Sequence, residues 1–459
     1  MSAFLLIPIL VGGAGLFLLI RLRAFFILHP IKCAGEAIRG IRHRGNLTSF
    51  TLALAGTLGV GNIIGVCSAI MIGGAGSVFW LLVSAVFSSV IKYSEAALTH
   101  GGQGMQDLIR DSLGGLGGIL SRAYMLLCIP LAFSMGSALQ AKSVAGALSE
   151  SLYTSRLVVM IILLFSVLAM MSGSSEKSRK ASAKLVPFAT IVYISLCLAT
   201  IFVNIDRLPL ALFDILSSAF SLKSVGGGLI GFSMLLALKE GFSCGILSNE
   251  AGAGTSSFAH TLLADTTPHE SGLFGVLEVF FDTVVICPLT GLAVLTAPID
   301  PTAYTSAMRL ASDAFAISLG APVRLIFAGA VFVFALSTVL CWYYYGSFAF
   351  RSLFHSSFPF TVGFLLSLML GVLSSDTLVI VLSDGCLLLM ALPTLAAIIK
   401  SSDRLIALSE PDRYKNIKRK RIKADVFSIS ALPKALLSRL RSRSPRAPRS
   451  QMRSRRPQR

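Results

Sequence analysis

The 459-residue chain is 54% hydrophobic and 14% charged, with a mean hydropathy of +0.78. Soluble domains usually carry about 25% charged residues, so this composition excludes an ordinary soluble fold and indicates a polytopic membrane protein. The formal net charge of +18 suggests a nucleic-acid binder until it is located: Arg413 to Arg459 holds 17 Lys and Arg against one acid, Asp425, so the excess belongs to one terminal segment. Nucleic acid is therefore not the expected partner. The eight cysteines are scattered through apolar stretches without C-x-x-C or metal-ligand spacing, and read as small buried hydrophobes.

In chain order, residues 3–20 form an apolar span whose basic residues follow it, against the order of a cleaved leader, so a retained helix is expected. Arg21 to Arg44 is a basic, amphipathic connector expected to lie at the cytoplasmic interface. Further spans are expected at about 47–72, 77–98, 119–147, 156–172, 184–203, 225–243, 272–297, 323–345, 358–375 and 378–400, eleven in all. With the N-terminus outside, the basic connector, the Lys177 to Lys184 cluster and the tail share the cytoplasmic side. The expected location is the cell (inner) membrane.

The second span, Ala53 to Gly65, carries Gly56, Gly59 and Gly61 within six positions, and each glycine costs about 1 kcal/mol in a helix interior. Open backbone at membrane depth is tolerated only where protein or a water-filled cavity satisfies it. The seventh span carries a matching run, Gly226 to Gly231, and five spans separate the two. Interrupted helices at corresponding places in oppositely oriented halves point to an inverted-repeat secondary transporter. The expected fold is thus an all-α polytopic membrane protein of about 11 transmembrane helices, a 5+5 repeat of helices 2–6 and 7–11 with helices 2 and 7 discontinuous. Its expected parts are residues 1–46 (extra helix and connector), 47–203 (first repeat), 204–400 (second repeat) and 401–459 (basic tail attracted to anionic lipid).

Half-helix N-termini present N–H groups to anions and open carbonyls suit cations, a division that fits a zwitterion travelling with a metal ion. Thr57 and Asn62 add a hydroxyl and an amide to the break; close helix packing is the competing account of its glycines. On the ninth span Thr338 and Trp342 share a face, although a Ser-Thr pair often bonds its own helix and aromatic residues often mark an interface. Gln140 is an amide inside the fourth span that needs a partner. Lys92 and Glu95 read as an interfacial ion pair, with a proton relay as the sharper alternative. Gly241 to Gly245 matches G-x-S-x-G, but an apolar helix precedes it and only His260 and His269 are near, so a Ser243-dependent hydrolase is a minor alternative. No phosphate-binding or dinucleotide fingerprint is present.

Several stretches in order, Ala55 to Gly65, Gly74 to Trp80, Lys92-Tyr93-Ser94-Glu95, Lys184 to Phe188, Asn204-Ile205-Asp206, Leu247 to Gly254 and Trp342 to Gly346, resemble the alanine or glycine:cation symporter family from about residue 4 to 400. The resemblance implies a LeuT-type fold with one extra N-terminal helix, and uptake of alanine, glycine or D-alanine driven by sodium as coupling ion rather than prosthetic group. No enzyme activity is implied. Carried over by position, Thr57, Gly61, Asn62, Gln140, Gly227, Gly228, Gly231, Thr338 and Trp342 would bind substrate. The carbonyls of Ala55 and Leu58 with the hydroxyls of Ser337 and Thr338 would bind sodium. Trp342 and the backbone at Gly61 and Gly231 would limit substrate size. Proton coupling through Glu95 or Glu250 is the alternative, and a monomer is the simplest assembly. The chain departs from the family pattern at Gly101 to Asp107, at Lys142, at Cys244 in place of an arginine, and at Leu387-Leu388 in place of Asn-Gly.

Overall fold

A backbone in hydrocarbon must satisfy its own N–H and C=O groups, and a helix does so within a single segment. The computed structural model describes residues 2–42, 46–172, 175–221, 232–260, 266–374 and 376–409, and within these every regular element is helical. Met1–Ser409 belongs to one compact unit. Residues 410–459 of the expected basic tail and the second glycine run, with Gly227, Gly228 and Gly231, lie outside the described residues, whereas the start of that tail forms the helix Ser402–Ser409.

The principal helices are α1 (Ser2–Arg21), α2 (Pro30–Arg42), α3 (Asn46–Thr57), α4 (Gly61–Gly73), α5 (Gly76–Leu98), α6 (Met105–Ser112), α7 (Gly117–Leu131, continued by the π-helical Ala132–Ala138 and Leu139–Leu152) and α8 (Arg156–Ser172). They continue with α9 (Ser175–Val203), α10 (Leu208–Ala219), α11 (Phe232–Asn249), α12 (Pro268–Val279, the π-helical Phe280–Ile286 and Cys287–Thr296), α13 (Ala307–Leu319), α14 (Val323–Phe354), α15 (Phe358–Leu373), α16 (Asp376–Lys400) and α17 (Ser402–Ser409). Six segments, Gly76–Leu98, Gly114–Ser149, Lys184–Val203, Pro268–Thr296, Val323–Phe354 and Leu378–Lys400, are long and apolar enough to cross a membrane singly. Leu6–Arg21, Gly61–Gly73, Arg156–Met171 and Phe358–Leu373 are shorter apolar helices.

Two stretches expected as loops contain helices. In α10, Ala211, Ile215 and Ala219 recur every fourth residue and turn inward; in α13, Leu310, Ala311, Ala314 and Phe315 do the same. Both are amphipathic elements too short to span. The expected connector forms α2, whose Cys33 and Ala37 are buried while Ile31 and Ile38 are exposed.

Small residues bring α5 and α11 together. A Cβ on Gly241 would lie 2.1 Å from the Ser77 carbonyl oxygen, and one on Gly245 would lie 1.9 Å from Ser84 Oγ. The contacts advance in the same direction along both chains, so the two helices run parallel. Gly275 brings α12 onto the same helix, where a Cβ would come 2.7 Å from the Lys92 carbonyl oxygen. Helices approach this closely only where one of them carries no side chain at the contact.

Candidate functional site

The second span breaks where its glycines cluster. α3 ends at Thr57, α4 starts at Gly61, and Leu58-Gly59-Val60 between them is not helical. Two neighbours hold the break. Val60 N–H donates to Gln140 Oε1 at 3.5 Å, and Gln140 Nε2 donates to the Met135 carbonyl at 3.3 Å. Met135 lies in the π-helical turn of α7, a wider coil that frees carbonyls for such partners. From α14, Thr338 Oγ1 donates to the Ala55 carbonyl at 3.3 Å. Gly59 is small because it must be: a Cβ there would meet Thr338 Oγ1 at 3.0 Å and Gln140 Nε2 at 3.6 Å.

A cavity of about 400 Å³ opens beside the break. Thr57, Gly61, Gln140 and Thr338, all singled out in the sequence, line it. Gly61 faces open space, since a Cβ there would meet nothing within 4 Å, so the close wall is at Gly59. Cys244 and Leu387, two departures from the family pattern, also line the cavity, as do Lys239, Glu240, Glu250 and Asp384.

The other expected residues are placed differently. Trp342 is wholly buried and does not line the cavity; its side chain packs on Gly136, and its ring meets Tyr345 edge-on at 5.6 Å. Asn62 turns away from the cavity toward α11 and α12: its amide nitrogen donates to Asp282 Oδ1, and its oxygen accepts from Ser248 Oγ at 3.1 Å. Of the four expected sodium ligands, Ala55 and Thr338 are in direct contact. The Ser337 hydroxyl donates to the Val333 carbonyl of its own helix at 2.7 Å, and Thr57 likewise donates to Leu54 at 3.3 Å. Leu58 is buried at the break.

Behind the cavity lies a charged cluster that composition conceals. Lys92 and Glu95 are completely buried within the protein, and the expected ion pair does not join them among the described residues. Glu95 Oε1 instead accepts from the backbone N–H groups of Gly252 at 2.7 Å and Gly254 at 3.1 Å, and Oε2 accepts from Ser256 Oγ at 3.1 Å. The loop after α11 wraps the carboxylate because Glu250, Gly252 and Gly254 take φ values of +56°, +91° and +72°. Positive φ suits the glycines and is costly at Glu250. Asp282, in the π-helical turn of α12, accepts from Asn62, from Ser248 Oγ at 2.6 Å and from Thr283 Oγ1 at 2.8 Å. His260 Nε2 pairs with Glu278 Oε1 at 2.7 Å, both buried.

Ser243 lies inside the continuous helix α11 and lines the cavity, with no strand-to-helix turn around it. Among the described residues no hydrogen bond joins Ser243 to a histidine: His260 bonds Glu278 and Ser271, and His269 bonds Tyr93 and Glu36.

A cavity beside a broken membrane helix is an architecture that secondary transporters use, and similarity to known proteins defines the class. The fold matches that of MhsT in complex with L-phenylalanine, with a TM-score of 0.56, 13% identity and coverage of 76% of this chain and 88% of that one. This is the LeuT-type fold. The sodium:alanine symporter family model matches residues 1–428, and the chain belongs to that family. It is 30% identical to the sodium/alanine symporter AgcS of Methanococcus maripaludis, over 90% of this chain and 95% of that protein. It is also 27% identical to a probable sodium/glutamine symporter, GlnT, of Bacillus subtilis, over 79% of this chain and 77% of that one. The protein is a cation-coupled amino-acid symporter, a multi-pass membrane protein and not an enzyme.

Proposed function

We propose that the protein couples sodium entry to uptake of small neutral amino acids, alanine and glycine first among them and D-alanine included, across the cell membrane with its N-terminus outside and its C-terminus cytoplasmic. One observation carries the reading: the break in the second span is held by neutral groups that leave both poles of the backbone beside the cavity. The N–H groups of Gly61 and Asn62, which open α4, suit a substrate carboxylate. The Ala55 carbonyl and the Thr338 hydroxyl, already in contact, suit a hard cation, with the Leu58 carbonyl and Ser337 hydroxyl as the remaining candidates. Gln140 braces the turn between the two. Gly227, Gly228 and Gly231 of the seventh span are further substrate-binding candidates from the family resemblance, and Trp342 would support the cavity wall through Gly136.

Alternating access then needs no chemistry on the substrate. Sodium beside the break neutralises a carboxylate that the apolar surroundings would otherwise reject, so each ligand raises affinity for the other. A larger neutral substrate such as glutamine is the second reading, favoured by the open volume of about 400 Å³ and by the open face of Gly61.

Equilibrium binding of labelled alanine and glutamine to the purified protein, with sodium or choline as the cation, tests the proposal. Alanine binding at least tenfold tighter in sodium, with Thr338→Val removing that difference, is the expected result. Binding equal in the two cations would remove sodium from the account, and glutamine binding tighter than alanine would exchange the substrate.

A further inference from the structure

The interior behind the cavity holds more negative than positive charge. Among the described residues Glu95, Glu278 and Asp282 are 0% exposed and Glu250 is 3% exposed, while the bases buried with them are Lys92 at 0% and His260 at 1%. His260 is occupied by Glu278. Among the described residues the Lys92 ammonium has no hydrogen-bond partner, yet it acts electrostatically on Glu95, Glu250 and Asp282. One ammonium thus faces three carboxylates where uncompensated charge is costly, and a group in that position neutralises or binds a counter-charge.

The three carboxylates are not equivalent. Glu95 and Asp282 each accept three hydrogen bonds, which offset part of the cost of burying a charge. Glu250 accepts one, from the Thr255 hydroxyl. It also lines the cavity, which the other two do not, so solvent protons can reach it.

We propose that Glu250 is a proton-binding site reached from the transport cavity, and that its proton is the charge displaced when a cation enters that cavity. A proton from cavity water joins the Glu250 carboxylate while no cation is bound. On cation entry the carboxyl returns the proton to water, so one positive charge replaces another and the interior keeps its balance with Lys92. The groups facing Glu250 are Lys92 and Glu95 from α5, Tyr124 and Cys128 from α7, Asp282 from α12, and Cys341 and Tyr345 from α14. Lys92 is the one cation among them. Glu250 is also the first residue of the loop that wraps Glu95, which gives its charge state a route to the conformation of that loop.

The inference rests on the symport reading for the meaning of the cation, but its test needs no transported substrate. Purified protein in weakly buffered detergent solution, with a pH-indicator dye, receives a pulse of sodium chloride or of choline chloride. Sodium should release about one proton per chain from the wild type and choline none. Glu250→Gln should abolish the release. Lys92→Met, by removing the compensating ammonium, should move the release to higher pH. No sodium-specific release at any pH in the range where carboxylates and imidazoles titrate, or release undiminished in Glu250→Gln, overturns the proposal. Should Glu250→Gln fail to fold, Lys92→Met decides: an upward shift supports the site, and an unchanged or lowered midpoint overturns it. Proton release from a protein that accumulates no amino acid would refute the symport reading alone; accumulation without proton release would refute this one.

Discussion

Two polar regions lie side by side in this membrane protein, built on opposite principles. At the broken second span the polar groups are neutral and mostly satisfied by backbone, with hydrogen bonds of 3.3–3.5 Å from Gln140 and Thr338. In the cluster behind it they are charged and buried, and the carboxylates accept bonds as short as the 2.7 Å contact from Gly252 to Glu95. Neutral groups with long bonds can change partners when a ligand arrives, because each bond contributes only about 0.5–1.5 kcal/mol. Removing one partner from a buried charged network costs about 3–5 kcal/mol, so that region resists rearrangement. The first region is suited to exchanging ligands, the second to holding the frame on which they are exchanged.

Substitutions that remove one partner from each region put the contrast at risk. The largest effect is expected from Glu95→Ala, which strands the N–H groups of Gly252 and Gly254. A loss of about 3–5 kcal/mol should appear as a sharply lowered melting temperature in detergent, with no amino-acid uptake. Next comes Gly59→Val. Its branched side chain must push aside Thr338 and Gln140, at a cost of about 1–3 kcal/mol, and cation-dependent binding should vanish from protein that still folds. Gln140→Ala should weaken amino-acid binding about tenfold with little change in melting, since Val60 loses a single hydrogen bond. The smallest effect belongs to Thr57→Val, whose hydroxyl bonds its own helix; stability should change by less than about 0.5 kcal/mol. If Glu95→Ala proved no more damaging than Gln140→Ala, the distinction between frame and exchange site would collapse.

The neutral region could be read in the sequence because its causes are local. Three glycines in six positions weaken a helix whatever surrounds it, and the break falls among them, at Leu58 to Val60. Gln140 was legible as an amide in an apolar span that required a partner, whereas Thr338 entered through the family resemblance. The charged region was less legible because its bonds join distant parts of the chain: Glu95 is 157 residues from Gly252 and 159 from Gly254. Position near the end of a span suggested an interface, whereas the returning loop covers that end. Two signals were available. Ser84, Ser88, Lys92 and Glu95 recur at helical spacing on one face of α5, and Gly252-Ala253-Gly254 is a loop able to take positive φ around an anion. For α10 and α13 the obstacle was different, since short amphipathic helices resemble loops when only spanning length is sought.

The central claim is that cation entry at the broken helix drives amino-acid uptake, and accumulation of labelled alanine in proteoliposomes under separately imposed sodium and proton gradients tests it most directly. An inward sodium gradient should drive alanine well above equilibrium, with Thr338→Val lowering the accumulation at least tenfold. Accumulation under neither gradient, or sodium-driven accumulation untouched by Thr338→Val, would contradict the account.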